Sequence, residues 1–154
     1  MKTTSKILAA CCLFVAAFVQ ADPGLVSLAS RFSVEETADR FVAAVEKAGL
    51  KIFARIDHAA GAAGVGMSLR PTRLILFGSP KVGTALMTSD QRAGIDLPLK
   101  ALAWEDEQGR VWLSYNSPDQ LLGRFGIRNR EAVKVKISEA LARFSKAATQ
   151  PEDP

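Results

Sequence analysis

Two amphipathic stretches bracket most of the strand-like segments of this chain, and that order limits the folds open to it. Val34, Ala38, Phe41, Val42, Val45 and Ala48 fall on one helical face. From Glu131 to Ala147, the positions Val133, Ile137, Ala140, Leu141 and Phe144 do the same. Ser33-Val34-Glu35-Glu36 is a capping box at the start of the first helix, and Gly49 suits a left-handed stop. Strand character marks Leu25–Phe32, Leu50–Ile56, Thr72–Gly78, Leu97–Trp104 and Arg110–Tyr115. Alternation in the second of these sends Leu50, Ile52, Ala54 and Ile56 inward, and the polar stretch from Glu105 to Gly109 makes the last two a hairpin. Ser79–Asp90 reads as loop with a short helix.

Strands clustered between two such helices predict an α+β fold. We expect a two-layer sandwich in which one mostly antiparallel sheet carries two long helices on one face. Each helix has a single apolar face, so the other side of the sheet needs its own cover. A second copy of the chain or the central loops are the candidates, and a homodimer is expected.

Residues 1–21 read as a secretory signal. Lys2 and Lys6 precede thirteen apolar or small residues from Ile7 to Val19, and Val19-Gln20-Ala21 offers a cleavage site after Ala21. Thirteen helical residues span about 20 Å, short of the roughly 30 Å of a bilayer core, so no membrane association is expected after cleavage. Leu8-Ala9-Ala10-Cys11 offers the alternative of a lipidated Cys11. Both cysteines, Cys11 and Cys12, leave with the segment, which excludes disulfides and thiolate metal sites from the remainder. The charge balance falls from 20 basic against 16 acidic residues to 18 against 16, too even to argue for a nucleic-acid partner. A bacterial periplasmic or secreted domain over residues 22–148 is expected, with a frayed tail at 149–154.

Four separated stretches carry a resemblance. Ile56-Asp57-His58-Ala59-Ala60, then Leu76 to Thr84 (LFGSPKVGT), then Ile95 to Lys100 (IDLPLK), then Trp104-Glu105-Asp106 are similar to the domain of unknown function 302 family. The similarity spans about Val26 to Phe144. It implies a small α+β domain, similar in architecture to TATA-binding-protein-like folds, and it implies homodimers. It implies neither DNA binding nor any particular activity.

Three of these stretches carry polar chemistry. Asp57-His58 ends a strand, and His58 is the only histidine, the one side chain whose ordinary pKa lies near neutrality. Its plain reading is a capped turn. Gly78-Ser79-Pro80-Lys81-Val82-Gly83-Thr84 would present backbone N–H groups and a lysine to an anion, or simply make a tight turn. Asp96 lies among apolar residues and needs a cationic partner, with Lys100, Lys81 or His58 available. With one histidine and no cysteine after residue 21, no metal or cofactor is expected. Arg124, Arg128, Arg130, Lys134 and Lys136 read as a solvated helix face, and Trp104, Trp112 and Tyr115 as core or dimer contacts.

All three stretches lie at strand ends. We therefore expect one polar cleft formed by Asp57, His58, Gly78, Pro80, Lys81, Gly83, Thr84, Asp96 and Lys100, taking a small anion or anionic metabolite. One alternative is a hydrolase- or isomerase-type enzyme in which His58 is the general acid or base, oriented by Asp57 or Asp96. Another is a structural or partner-binding module without a ligand.

Overall fold

A computed structural model describes residues 19–22 and 24–151. The strands are β1 (Val19–Asp22), β2 (Leu25–Ser30), β3 (Lys51–Asp57), β4 (Thr72–Gly78), β5 (Leu99–Glu105) and β6 (Val111–Asn116). The helices are α1 (Val34–Lys47), α2 (His58–Gly64), α3 (Pro80–Met87), α4 (Pro118–Arg124) and α5 (Glu131–Thr149), with a 3₁₀ turn at Gln91–Ile95. The six strands form one sheet in the order β1-β2-β6-β5-β4-β3, antiparallel at every pairing. Helices α1 and α5 pack on each other and on the same side of that sheet. The expected two-layer α+β sandwich is the observed fold.

Ser33 Oγ accepts from the Glu36 N–H at 3.1 Å and starts α1. Gly49, at φ +73°, provides the left-handed exit into β3. The face of α1 toward the sheet is Val34, Thr37, Ala38, Phe41, Val42 and Val45, all buried. Ala48 is exposed at the C-cap. Phe41, Phe77 and Phe144 meet edge-to-face, with ring centroids 5.1, 6.1 and 6.5 Å apart, and tie α1, β4 and α5 into one core.

Cross-strand partners share a face. Ile75, Phe77, Ala101, Ala103 and Leu113 therefore make the helix side, and Ile56, Leu74, Leu102, Trp104, Trp112 and Ser114 make the other. The expected inward set of β3 needs correction. A β-bulge between Ile52 and Ala54 inserts Phe53, so Ile52 stays on the helix side while Ala54 and Ile56 turn to the opposite face. Ile56 is left 41% exposed.

Pairing fixes which loops meet. Lys51, Gly78, Leu99, Asn116 and Leu25 lie at one end of the sheet, and Asp57, Thr72, Glu105, Val111 and Ser30 at the other. The end of α5, placed in the frayed tail by sequence, is held: Thr149 is buried and its carbonyl accepts from the Arg31 N–H at 3.1 Å. Arg40 donates to the carbonyls of Ala147 and Gln150. Most of the stretch read as a secretory signal, residues 1–18, lies outside the described residues. Val19–Asp22 pairs with β2, so a cut after Ala21 removes three of the four residues of β1.

Candidate functional site

Asp57 caps α2. Its Oδ1 accepts from the Ala60 N–H at 2.9 Å, and its Oδ2 lies 3.4 Å from Arg73 Nη2, which also faces Glu35 at 3.3 Å. His58 opens α2 as an exposed residue, and its imidazole makes no hydrogen bond among the described residues. Asp57 is thus spent on the turn and on Arg73, and the imidazole has no orienting group.

The second and third stretches meet at the opposite end of the sheet. Arg73, the partner of Asp57, and Gly78 are separated by five residue steps, about 17 Å of extended chain. The expectation of one cleft shared by all three stretches is corrected here. A β3–β4 pairing that is antiparallel sends the end of β3 and the end of β4 to opposite edges. His58, Asp57 and Asp96 do not assemble into a catalytic group.

What does assemble is a lobed cleft around Leu99. One lobe of about 120 Å³ is lined by Asp96, Lys100, Asn116, Gln120 and Arg124 at its mouth and by Leu99, Leu121 and Leu141 inside. Asp96 is paired, but with Arg124, whose Nη1 donates to both carboxylate oxygens at 2.9 and 3.0 Å. Lys100 Nζ donates instead to the carbonyls of Asp96 and Pro98, at 3.0 and 3.1 Å. Two cations, two side-chain amides and one carboxylate thus line one lobe.

A second lobe, about 330 Å³, has Gly78, Ser79, Pro80, Gly83 and Thr84 in its wall, together with Phe53, Met87, Leu97 and Ile137. The stretch read as an anion cradle is mostly helix: α3 starts at Pro80, Ser79 makes no side-chain cap, and the Gly83 N–H is taken by the Ser79 carbonyl at 3.0 Å. Lys81 is exposed and lines none of these lobes. A third lobe, about 190 Å³, continues the second between Val82 and α5.

The basic residues after Pro118 are dispersed. Arg130 donates to the Ala85 carbonyl at 2.9 Å, and Lys134 bridges Glu131 and Asp119. Those bonds, Glu131's first, push the Lys134 ammonium up to about 12. Sequence reasoning missed Asn116, Gln120 and the role of Arg124. The available signal was Ser117-Pro118, a helix start that carries Gln120 and Arg124 on one α4 face, four residues apart.

Fold and cleft together define a small antiparallel sheet-and-helix domain with a mixed polar and apolar cavity at one sheet end. Residues 26–146 match the family described as Domain of unknown function DUF302, and the chain belongs to that family. The crystal structure of uncharacterized conserved protein DUF302 from Bacillus stearothermophilus superposes with a TM-score of 0.74 at 14% identity, over 82% of this chain and 99% of that one. This likeness is one of fold. Among curated proteins, the chain is similar to fluoride-specific ion channel FluC 1 of Brucella suis, at 45% identity over 119 residues, 76% of this chain and 47% of that protein. FluC 1 of Brucella abortus matches at 45% over 76% of this chain and 44% of its own length. The chain therefore spans less than half the length of these relatives. Among the described residues, no helix is long and apolar enough to cross a membrane.

Proposed function

We propose that this chain is an exported, periplasmic or secreted, accessory domain that binds a small anion at the Lys100–Arg124 lobe. The observation that carries this reading is the convergence of Lys100, Arg124 and the amides of Asn116 and Gln120 on one mouth holding a single carboxylate. Charge-assisted donors of this kind are the strong ones, and Leu99, Leu121 and Leu141 behind them lower the local dielectric. The Brucella relatives are described as fluoride-specific ion channels, so fluoride is one probe among several.

Calorimetric titration with acetate, phosphate and fluoride tests the reading. We expect saturable binding of at least one of them, weakened about tenfold or more in Lys100→Met and in Arg124→Gln, since each removes a charged donor worth about 1.5–3 kcal/mol. His58→Gln should bind as the parent does. No binding by the parent, or equal binding by both cleft variants, would overturn the proposal.

The same reading makes the domain a homodimer through the sheet face that α1 and α5 leave open. That face carries a hollow of about 450 Å³ lined by Leu25, Leu74, Leu102 and Trp104, with Lys100 and Asn116 of the anion lobe at its edge. Five strands about 4.8 Å apart and six residues long present roughly 480 Å² per copy, so two copies bury roughly 1,000 Å², the lower bound of a specific interface. Light scattering behind size exclusion should give twice the chain mass for the parent and a single mass for Leu102→Lys. A monomeric parent at high micromolar concentration sinks the dimer.

A further inference from the structure

We propose that the second and third lobes form a separate site for an amphiphilic anion, a medium-chain carboxylate in class. The two lobes share Gly78, Ser79, Val82, Leu99 and Ile137, so they are parts of one cleft between α3 and α5. The larger lobe is floored by Leu97, Leu99 and Ile137 and closed on one side by Phe53. A 150 Å³ apolar cavity accepts a benzene ring. A lobe of about 330 Å³ takes roughly twice that, an aliphatic body of about a dozen carbons.

Two further observations point to a ligand with one charged end. Phe53 is the extra residue of the β3 bulge, is 43% exposed and stands in the wall of the larger lobe, with Lys51 Nζ 5.3 Å from its ring centroid. Bulges are a recognised device for re-aiming a side chain beside a binding site. At the rim of the smaller lobe stand Lys136 and Arg143, two turns apart on α5. Neither side chain makes an ion pair or hydrogen bond among the described residues, and no acidic side chain lines either lobe. An apolar trough with unpaired cations at one end is complementary to an aliphatic chain with an anionic head. The Lys100–Arg124 lobe opens at a different mouth but shares Leu99 and Leu141 with the smaller lobe, so the Lys100→Met variant is what separates this site from the small-anion reading.

The test is a titration of the full chain with decanoate below its micelle concentration, beside acetate (the head alone) and decanol (the tail alone). Each methylene buried contributes about fourfold in affinity, so decanoate should bind at least about 100-fold more tightly than acetate even with part of the chain left in water. Thr84→Trp, at an exposed wall position, fills the lobe and should weaken decanoate tenfold or more. Phe53→Ala, also at a solvent-facing position, should weaken it as well. The double variant Lys136→Glu/Arg143→Glu should erase the preference for decanoate over decanol. Lys100→Met should leave decanoate binding unchanged. Decanoate no better than acetate, decanol equal to decanoate in the parent, or wall variants that bind like the parent would each overturn the site. Loss of decanoate binding in Lys100→Met would move the head to the other mouth and overturn it too.

Discussion

Phe41→Ala is expected to cost about 3–5 kcal/mol, the range for removing a fully buried aromatic ring. Phe41 has no accessible surface and stands at the centre of the aromatic triad, edge-on to Phe77 on β4 and to Phe144 on α5. Its loss removes the ring that joins α1 to both other layers. The residual cavity closes poorly, because β4 is held by a strand on each side and α5 is pinned at its end by Arg40 and Arg31. Domains of this size have about 5–15 kcal/mol to lose, so the variant should be marginal or unfolded at 37 °C. Urea titration followed by far-ultraviolet circular dichroism measures it. Phe53→Ala is the internal comparison, since that ring is half in solvent and should cost far less. A Phe41→Ala penalty below about 1.5 kcal/mol would mean the triad is not where the core is anchored.

The legible part of this fold was the part written in periodicity. The α1 face from Val34 to Val45 and the α5 face from Ile137 to Phe144 were readable because a helix must bury a stripe and shows it every three to four residues. Ser33 and Gly49 marked the limits of α1 because capping and left-handed geometry depend on side chains a few residues away. The Phe53 bulge was not readable: one inserted residue leaves the composition of β3 unchanged yet sends Ala54 and Ile56 to the other face. The cleft was half readable. Gly78–Thr84 and Asp96–Lys100 do share one end of the sheet, but Asp57 and His58 belong to the other. A strand end looks the same in sequence at either edge, and only the parity of the pairing decides which loops meet. Arg124 was read as part of a solvated face, and its pairing was missed because its partner Asp96 is 28 residues away and no local pattern links the two.

Asp106→Asn should lower Tm by several degrees at neutral pH and flatten the acid limb of the stability curve. Asp106 closes the β5–β6 hairpin, where Gly109 at φ +72° makes the turn. It is 8% exposed. Its Oδ1 accepts from the N–H groups of Gln108 and Arg110, each at 2.9 Å, and its Oδ2 from Arg110 Nε at 2.7 Å and Trp112 Nε1 at 2.8 Å. Burial alone would raise its pKa, but the bonds from Trp112 and Arg110 together outweigh it and hold the carboxyl well below the usual carboxylate range. A depressed folded-state pKa means that the carboxylate's contribution is present above the unfolded value of about 3.9 and is lost as pH falls below it. The gap between parent and variant should therefore be widest near pH 7 and should shrink below about pH 4. In the variant an amide N–H faces donors on at least one side, so Trp112 loses its acceptor or Arg110 its clamp. Trp112 stacks on Trp104 with centroids 6.4 Å apart, so near-ultraviolet circular dichroism should report the change in the folded state. A parent–variant gap that stays constant from pH 7 down through pH 3 would show that the charge on Asp106, as distinct from its shape, contributes nothing to the hairpin.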